Sequence, residues 1–282
     1  MLVKKKKLVK KNTVISKNTV IKKEPTMFWP SILSRHPSHN VLRKALPKMS
    51  VRSVIRFGSE TTINDGKKRI EINTVEAVRN SASKLRMKQK FTEAGVKTAE
   101  WIDGNSGKDS VIKWCSDKYP VIAKGIFGSR GRANTKIDNL EQLKTFLNNK
   151  NIHNYIFEAF FDGVREYRFH VTEDGVFLTW RKLRRNDTPD NQRWFFNNSN
   201  CNWVSEKHEL YNRPKTYDLI AKECVKALNA VGLNIGGCDV RVNKNGEFKI
   251  IEINSACSLA EQTAEAYKSA LITILKNKIN KQ

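Results

Sequence analysis

Apolar and polar residues alternate on both sides of Asn245-Gly246: Cys238, Val240 and Val242 lead into the pair, and Ile251 and Ile253 follow it. A period of two marks a strand with one buried face, and Asn-Gly is the strongest short hairpin signal because both turn residues must tolerate positive φ. The stretch 236–259 is therefore expected to be a hairpin, with Lys244 facing Glu247, Arg241 facing Ile250, Asp239 facing Glu252 and Gly237 facing Asn254. The five apolar side chains form its expected core face. A second alternation surrounds Asp174-Gly175 and predicts Glu173 opposite Val176, His170 opposite Thr179, Phe169 opposite Trp180, Arg168 opposite Arg181 and Tyr167 opposite Lys182. Its core face would carry Tyr167, Phe169, Val171, Leu178 and Trp180, and its other face Glu166, Arg168, His170 and Arg181.

Short apolar runs at 53–58 and 69–73 read as strands of a small α/β unit. Residues 74–95 follow a helical period and end at Gly95, a C-terminal cap. Residues 119–137 begin as an apolar strand with one charge, Lys124, in its middle. They pass through Phe127-Gly128-Ser129-Arg130-Gly131-Arg132 and return as a second strand. Helical periods recur at 217–232 and 261–279. The polar stretch 184–212 has little periodicity and reads as one long loop, a feature that in compact domains is usually functional. Residues 1–26 mix Lys with Asn, Thr, Val and Ile and read as a flexible basic arm.

Composition narrows the class. A hydrophobic content of 39% over 282 residues suits one large or two modest globular domains. No apolar run is long enough to span a bilayer, and the N-terminus lacks the apolar core of a secretory signal, so a cytoplasmic protein without membrane contact is expected. Five scattered cysteines with no Cys-x-x-Cys pair argue against a disulfide framework or a zinc site. The formal charge is +24, and the arm holds nine lysines against one glutamate. Such a balance favours contact with a polyanion, nucleic acid included.

The candidate chemistry lies on the polar faces of the hairpins. Two carboxylates directly across a strand pair, Asp239 and Glu252, repel by roughly 4 kcal/mol at an effective dielectric near 20. A divalent cation held by Asp239, Glu252 and the amide oxygen of Asn254 would relieve this, and so would Arg241 diagonal to Asp239. Arg168 opposite Arg181 likewise calls for a neutralising group, either an anionic ligand or Glu166 and its neighbours. Gly128 and Gly131 would let backbone N–H groups approach a phosphate, although the loop lacks the Gly-Lys-Ser/Thr ending of a Walker A motif. Trp194 and Phe195 could stack a base or cap the core.

The order Lys84 in Ser-Lys-Leu-Arg, Lys124, the glycine loop, Glu158 and Glu166, then Asp239, Glu252 and Asn254 resembles the ATP-grasp superfamily. It is closest to the branch of RimK-like peptide-glutamate ligases and D-alanine:D-alanine ligases. The resemblance covers about 51–275 and implies an α+β fold of two lobes that clamp Mg-ATP between two sheets. It implies domains at 1–26 (arm), 27–80 (a reduced unit before the grasp), 81–157 (linking helix and small lobe) and 158–282 (large lobe). By resemblance, Lys84, Lys124 and the loop Gly128, Ser129, Arg130 and Gly131 hold phosphates. Glu158, Ala159, Phe160 and Phe161 hold adenine, and Glu166 holds the ribose. Asp239, Glu252 and Asn254 bind Mg2+, with Mn2+ as an alternative. Arg168 and Arg181 orient a carboxylate and its acyl phosphate, and Asn198 stands where related ligases keep an asparagine near the phosphates. The implied activity is an ADP-forming carboxylate-amine ligase whose acid and acceptor are not specified. The alternative is a basic nucleic-acid-binding or scaffold protein that kept the nucleotide fold without turnover. Ser255-Ala256-Cys257 departs from the Ser-Pro-Gly turn of the family, which bears on the substrate more than on the nucleotide.

Overall fold

The first three strands, β1 (Ser31–Ser34), β2 (Ser53–Phe57) and β3 (Ile70–Ile72), form a parallel sheet in the order 1-2-3. The computed structural model describes residues 26–128 and 133–281. All five residues of β2 are buried, as a continuous apolar run in a parallel sheet requires. Helix α1 (Asn40–Ala45) follows β1, and α2 (Val75–Ala82) and α3 (Lys84–Glu93) follow β3. The single helix expected over 74–95 is thus two. Ser83 adopts an extended conformation, and its hydroxyl accepts from the Arg86 N–H, so it caps a new helix instead of continuing the old one. The break leaves Lys84 in the first turn of α3, where its N–H donates to the Ile126 carbonyl at 2.9 Å.

A four-stranded antiparallel sheet makes the small lobe. It contains β4 (Trp101–Asp103), β5 (Val121–Gly125), β6 (Asn134–Ile137) and β7 (Tyr155–Ala159) in the order 4-7-5-6. Helices α4 (Lys108–Cys115) and α5 (Leu140–Asn149) cover it through Val111, Leu143 and Phe146. Strand β6 is the return strand expected after the glycine loop; Ser129, Arg130 and Gly131 of that loop lie outside the described residues, as does 1–25 of the basic arm.

The large lobe is a five-stranded antiparallel sheet in the order 10-9-8-11-12, from β8 (Arg165–Thr172), β9 (Gly175–Arg184), β10 (Cys201–Ser205), β11 (Ile235–Val242) and β12 (Phe248–Asn254). Helix α6 (Tyr217–Val231) packs Cys224 and Leu228 against one face, over Phe169 and Val240. On the other face α7 (Glu261–Asn280) covers only half. Its Tyr267 meets His170 and Phe177, and its Leu271 joins the core beneath the parallel sheet. The uncovered half of that face bears Glu166, Arg168 and Asp239.

Three expectations need correction here. Region 184–212 is not one loop, because 201–205 pairs with β9 as an edge strand; its alternation is too short to stand out from polar neighbours. The β8–β9 turn is Glu173-Asp174, with Thr172 paired to Gly175, two residues from the register expected, and a bulge between His170 and Val171 reduces the offset to one. Arg168 therefore faces Trp180, and Arg181 faces Tyr167. A one-residue slip sends every side chain to the opposite face, and Arg181 leaves the face that carries Arg168. The β11–β12 turn has three residues: the Asn243 N–H donates to the Glu247 carbonyl at 2.9 Å, and Gly246 takes φ of 83°. A bulge beyond Asp239 absorbs the offset, so Asp239 still pairs with Glu252 and Gly237 with Asn254, while Arg241 pairs with Lys249 instead of Ile250. The bulge also exchanges Ile251 for Ile250 in the core, and Ile251 lines the cleft.

Candidate functional site

Between the small lobe and the open half of the large sheet lies a cleft of about 610 Å³. Lys84, Lys124, Gly128, Glu158, Ala159, Phe160, Phe161, Glu166, Arg168, Asp239, Glu252 and Asn254 all line it. Arg181 does not: its Nη1 donates to the Leu210 carbonyl at 2.6 Å on the far face. Asn198, Trp194 and Phe195 line the rim, and Asn198 accepts from Trp203 Nε1 at 3.2 Å.

On the small-lobe side, Lys124 extends from β5 to β7 and donates to Glu158 Oε2 at 2.6 Å. Burial alone would raise the Glu158 carboxyl, but Lys124 and Lys88 outweigh it and hold the group below its ordinary value. The charge in mid-strand, costly if alone, is thus paired. Lys84 reaches over from α3 and donates to the Gly128 carbonyl at 3.1 Å, at the edge of the glycine loop. Burial lowers its ammonium, with Glu252 opposing and Lys124 adding to the shift.

On the large-lobe side the acids are already engaged. Asp239 faces Arg168 across β11 and β8 as well as Glu252 across β11 and β12. Arg168 binds it through two hydrogen bonds, and Lys182 Nζ lies 3.3 Å from its Oδ2. Burial pushes the Asp239 carboxyl up, yet Arg168 and Lys182 hold it well below the usual carboxylate range. Lys182 also donates to Glu166, whose other oxygen accepts from Arg241 Nε at 2.8 Å. Trp203 of the edge strand stacks over Arg168 and Lys182, 4.8 and 5.1 Å from its ring centre. The repulsion expected between Asp239 and Glu252 is met for Asp239 by two cations, and Glu252 accepts from Asn254 Nδ2 at 2.9 Å.

Two carboxylates and an amide are hard oxygen donors of the kind Mg2+ takes, usually with nucleotide phosphates completing the shell. Among the described residues no group of three His, Cys, Asp or Glu side chains could hold a metal by itself. The donor set fits a metal that arrives with a polyphosphate. Six cations among the described residues line the cleft, Arg35, Lys84, Lys124, Arg168, Lys182 and Arg241, against the five carboxylates Glu60, Glu158, Glu166, Asp239 and Glu252, so most of the cationic charge is already paired and a polyphosphate would meet it together with its metal. Apolar side chains of Met87, Ile122 and Ile251 line the same cleft.

No protein-family model matches the sequence, and no curated protein matches it by sequence. Solved structures do match the architecture. A D-alanine–D-alanine ligase from Bacillus anthracis superposes with a TM-score of 0.61 at 10% identity, covering 90% of this chain and 99% of that one. The fold is that of the ATP-grasp ligases. Within that fold, the ligase PsnB, complexed with a phosphomimetic variant of its minimal precursor, Mg and ADP, matches with a TM-score of 0.52 at 17% identity over 73% of this chain and 62% of that one. An N5-carboxyaminoimidazole synthetase from Staphylococcus aureus complexed with ADP matches at 0.54 and 15%, over 73% and 54%. The chain thus spans less than two thirds of the length of those last two proteins. Among the described residues no helix is long and apolar enough to cross a membrane.

Three residues in or behind the cleft are not marked out by sequence pattern. Alternation pairs Lys182 with Tyr167 and leaves open whether it contacts the phosphates, it puts Ile251 in the core, and it does not distinguish Lys88 from the other lysines of a charged helix. The available signal for Lys88 is its place on the α3 face that buries Met87 and Phe91, where an unpaired ammonium is expensive.

Proposed function

We propose that the protein is an ATP- and Mg-dependent carboxylate-amine ligase that works through an acyl phosphate and releases ADP. The observation that carries this reading is a single cleft in which Lys84, Lys124 and Glu158 stand across from the facing pair Asp239 and Glu252. Lys84 and Lys124 hold the α and β phosphates, together with the loop that begins at Gly128 and continues through Ser129, Arg130 and Gly131. The segment Glu158, Ala159, Phe160 and Phe161 meets the adenine, with Met87, Ile122 and Ile251 supplying the apolar slot, and Glu166 meets the ribose. Asp239, Glu252 and Asn254 hold Mg2+, or Mn2+ in its place, which when bound neutralises charge on the phosphates. Arg168 and Lys182 lie next to these ligands and orient the substrate carboxylate and the acyl phosphate formed from it. Lys182 takes the place in this set that Arg181 cannot reach from the far face. Chemistry of this type depends on alignment and charge neutralisation more than on proton shuttling.

The formal charge of +24 favours an acidic acceptor, with the basic arm as its anchor. The test is phosphate release from ATP and Mg2+ with pooled amino acids, with and without acidic peptides or nucleic acid. Acceptor-dependent release in the native chain, lost in Glu252→Ala while the melting transition persists, is the expected result. A chain whose melting temperature ignores millimolar Mg-ATP, and which binds polyanions with a steep salt dependence, would instead be a binder without turnover.

A further inference from the structure

Lys88 is wholly buried on α3, and no step of the proposed reaction uses it. Its Nζ lies 3.2 Å from Glu158 Oε1 and donates to Thr98 Oγ1, while Lys124 occupies Glu158 Oε2 at 2.6 Å. Burying an ion pair is often no better for stability than an apolar group of the same size, and one carboxylate needs only one cation for charge balance. The second ammonium does something the first cannot. With a separate cation at each oxygen, the carboxylate is fixed in rotation, carries no proton and offers the cleft only acceptor lone pairs. Burial lowers Lys88 itself to about 8, so it remains cationic near neutral pH.

Glu158 opens the segment Glu158, Ala159, Phe160 and Phe161 that lines the cleft. A purine edge set against an acceptor-only carboxylate must present a donor. An exocyclic amine at C6 does so; a 6-oxo purine keeps a donor at N1–H but sets its C6 carbonyl oxygen, acceptor against acceptor, where the amine would stand. We propose that Lys88 is a positioning residue for the nucleobase, holding Glu158 so that the cleft selects a 6-amino purine over a 6-oxo purine. This rests on the reading of the cleft as a nucleotide site.

The test compares ATP with ITP, which differ at C6, by calorimetric titration of the full chain. Native protein is expected to bind ATP at least about tenfold more tightly than ITP, the scale of one charge-assisted hydrogen bond gained or lost. Lys88→Met is expected to lose about tenfold in ATP affinity and to bring the two nucleotides within about twofold of each other. Its ligand-free melting temperature should fall only modestly, because Lys124 still compensates the Glu158 carboxylate. Lys88→Gln, which keeps one N–H donor, should recover part of the preference, and carries the same comparison if the Met variant does not fold. Equal weakening of both nucleotides, with the preference intact, would show a purely structural lysine and overturn the inference. Native protein that binds neither nucleotide would overturn the nucleotide reading itself, and this inference with it.

Discussion

The guanidinium of Arg168 holds both oxygens of Asp239, Nε to Oδ1 at 2.6 Å and Nη2 to Oδ2 at 2.8 Å. A divalent cation that uses Asp239 must therefore share it with, or take it from, Arg168. Arg168→Met should cost up to about 3 kcal/mol of stability, because Lys182 still partly compensates the buried carboxylate. The same variant should gain more from Mg2+ without nucleotide, seen as a larger rise in melting temperature than in the native chain. Equal Mg2+ shifts in the two proteins would show that the arginine does not compete.

The observed β8–β9 register separates two neighbouring cations. Arg181 points to the Leu210 carbonyl, and Lys182 points to Asp239 and Glu166 in the cleft. Arg181→Ala should leave ATP-dependent phosphate release within about twofold of native. Lys182→Met should lower it by about 10²-fold or more, the scale seen when one preorganised donor is removed from a reacting centre. Reversed effects would assign the role in the cleft to Arg181 instead of Lys182.

His170 is buried between β8 and α7, with Nδ1 3.0 Å from the Tyr267 hydroxyl. Burial, with help from Arg168, lowers its pKa to about 3. The unfolded chain takes up this proton near pH 6.5, whereas the folded chain does not until about 3. Stability from this residue is therefore fully present above pH 6.5 and declines as pH falls toward 3. Between pH 6.5 and 5 the decline should be about 1–2 kcal/mol. Denaturant melts of His170→Gln should show a shallower decline over that interval.

Gly237 stands where no side chain fits: a Cβ there would lie 2.2 Å from Cys257 Sγ and 3.3 Å from Arg168 Cδ. Gly237→Ala should cost about 1–3 kcal/mol through overpacking. Adding Cys257→Ala removes the sulfur and should restore most of the loss, as read from the melting temperatures of the two variants. No recovery in the double variant would place the clash at Arg168 instead.

Sequence pattern made the two hairpins legible because alternation and Asn-Gly or Asp-Gly turns are local signals. It located Asp239 opposite Glu252 by way of a turn that is one residue too short, which the bulge beyond Asp239 then offset. The β8–β9 bulge between His170 and Val171 acts in the same way but recovers only one residue of a two-residue offset, so the facing of Arg168 and Arg181 stays slipped by one. Bulges and turn lengths depend on tertiary packing, which alternation does not encode. Lys84, Lys124 and Glu158 could be placed by resemblance because each stands in a short local motif, Ser-Lys-Leu-Arg, a single charge within an apolar strand, and an acid before Ala-Phe-Phe. Lys88 and Lys182 could not, because only the fold reveals which lysine of a charged helix or strand points inward.

The linker between α3 and β4 is joined to the large sheet. The Ile250 N–H donates to the Lys97 carbonyl at 2.8 Å, and Thr98 Oγ1 donates to the Ile250 carbonyl at 2.8 Å. Met87 of α3 also receives the Ile253 N–H on its sulfur. Helix α3 and its Lys84 are thereby tied to the large sheet that carries Asp239 and Glu252, and Lys84 also bonds to the small lobe through the Ile126 and Gly128 carbonyls. In the proposed reaction a triphosphate held by Lys84 and Lys124 would therefore strap the two sheets together, one cation contributed by the shared helix and one by the small-lobe strand.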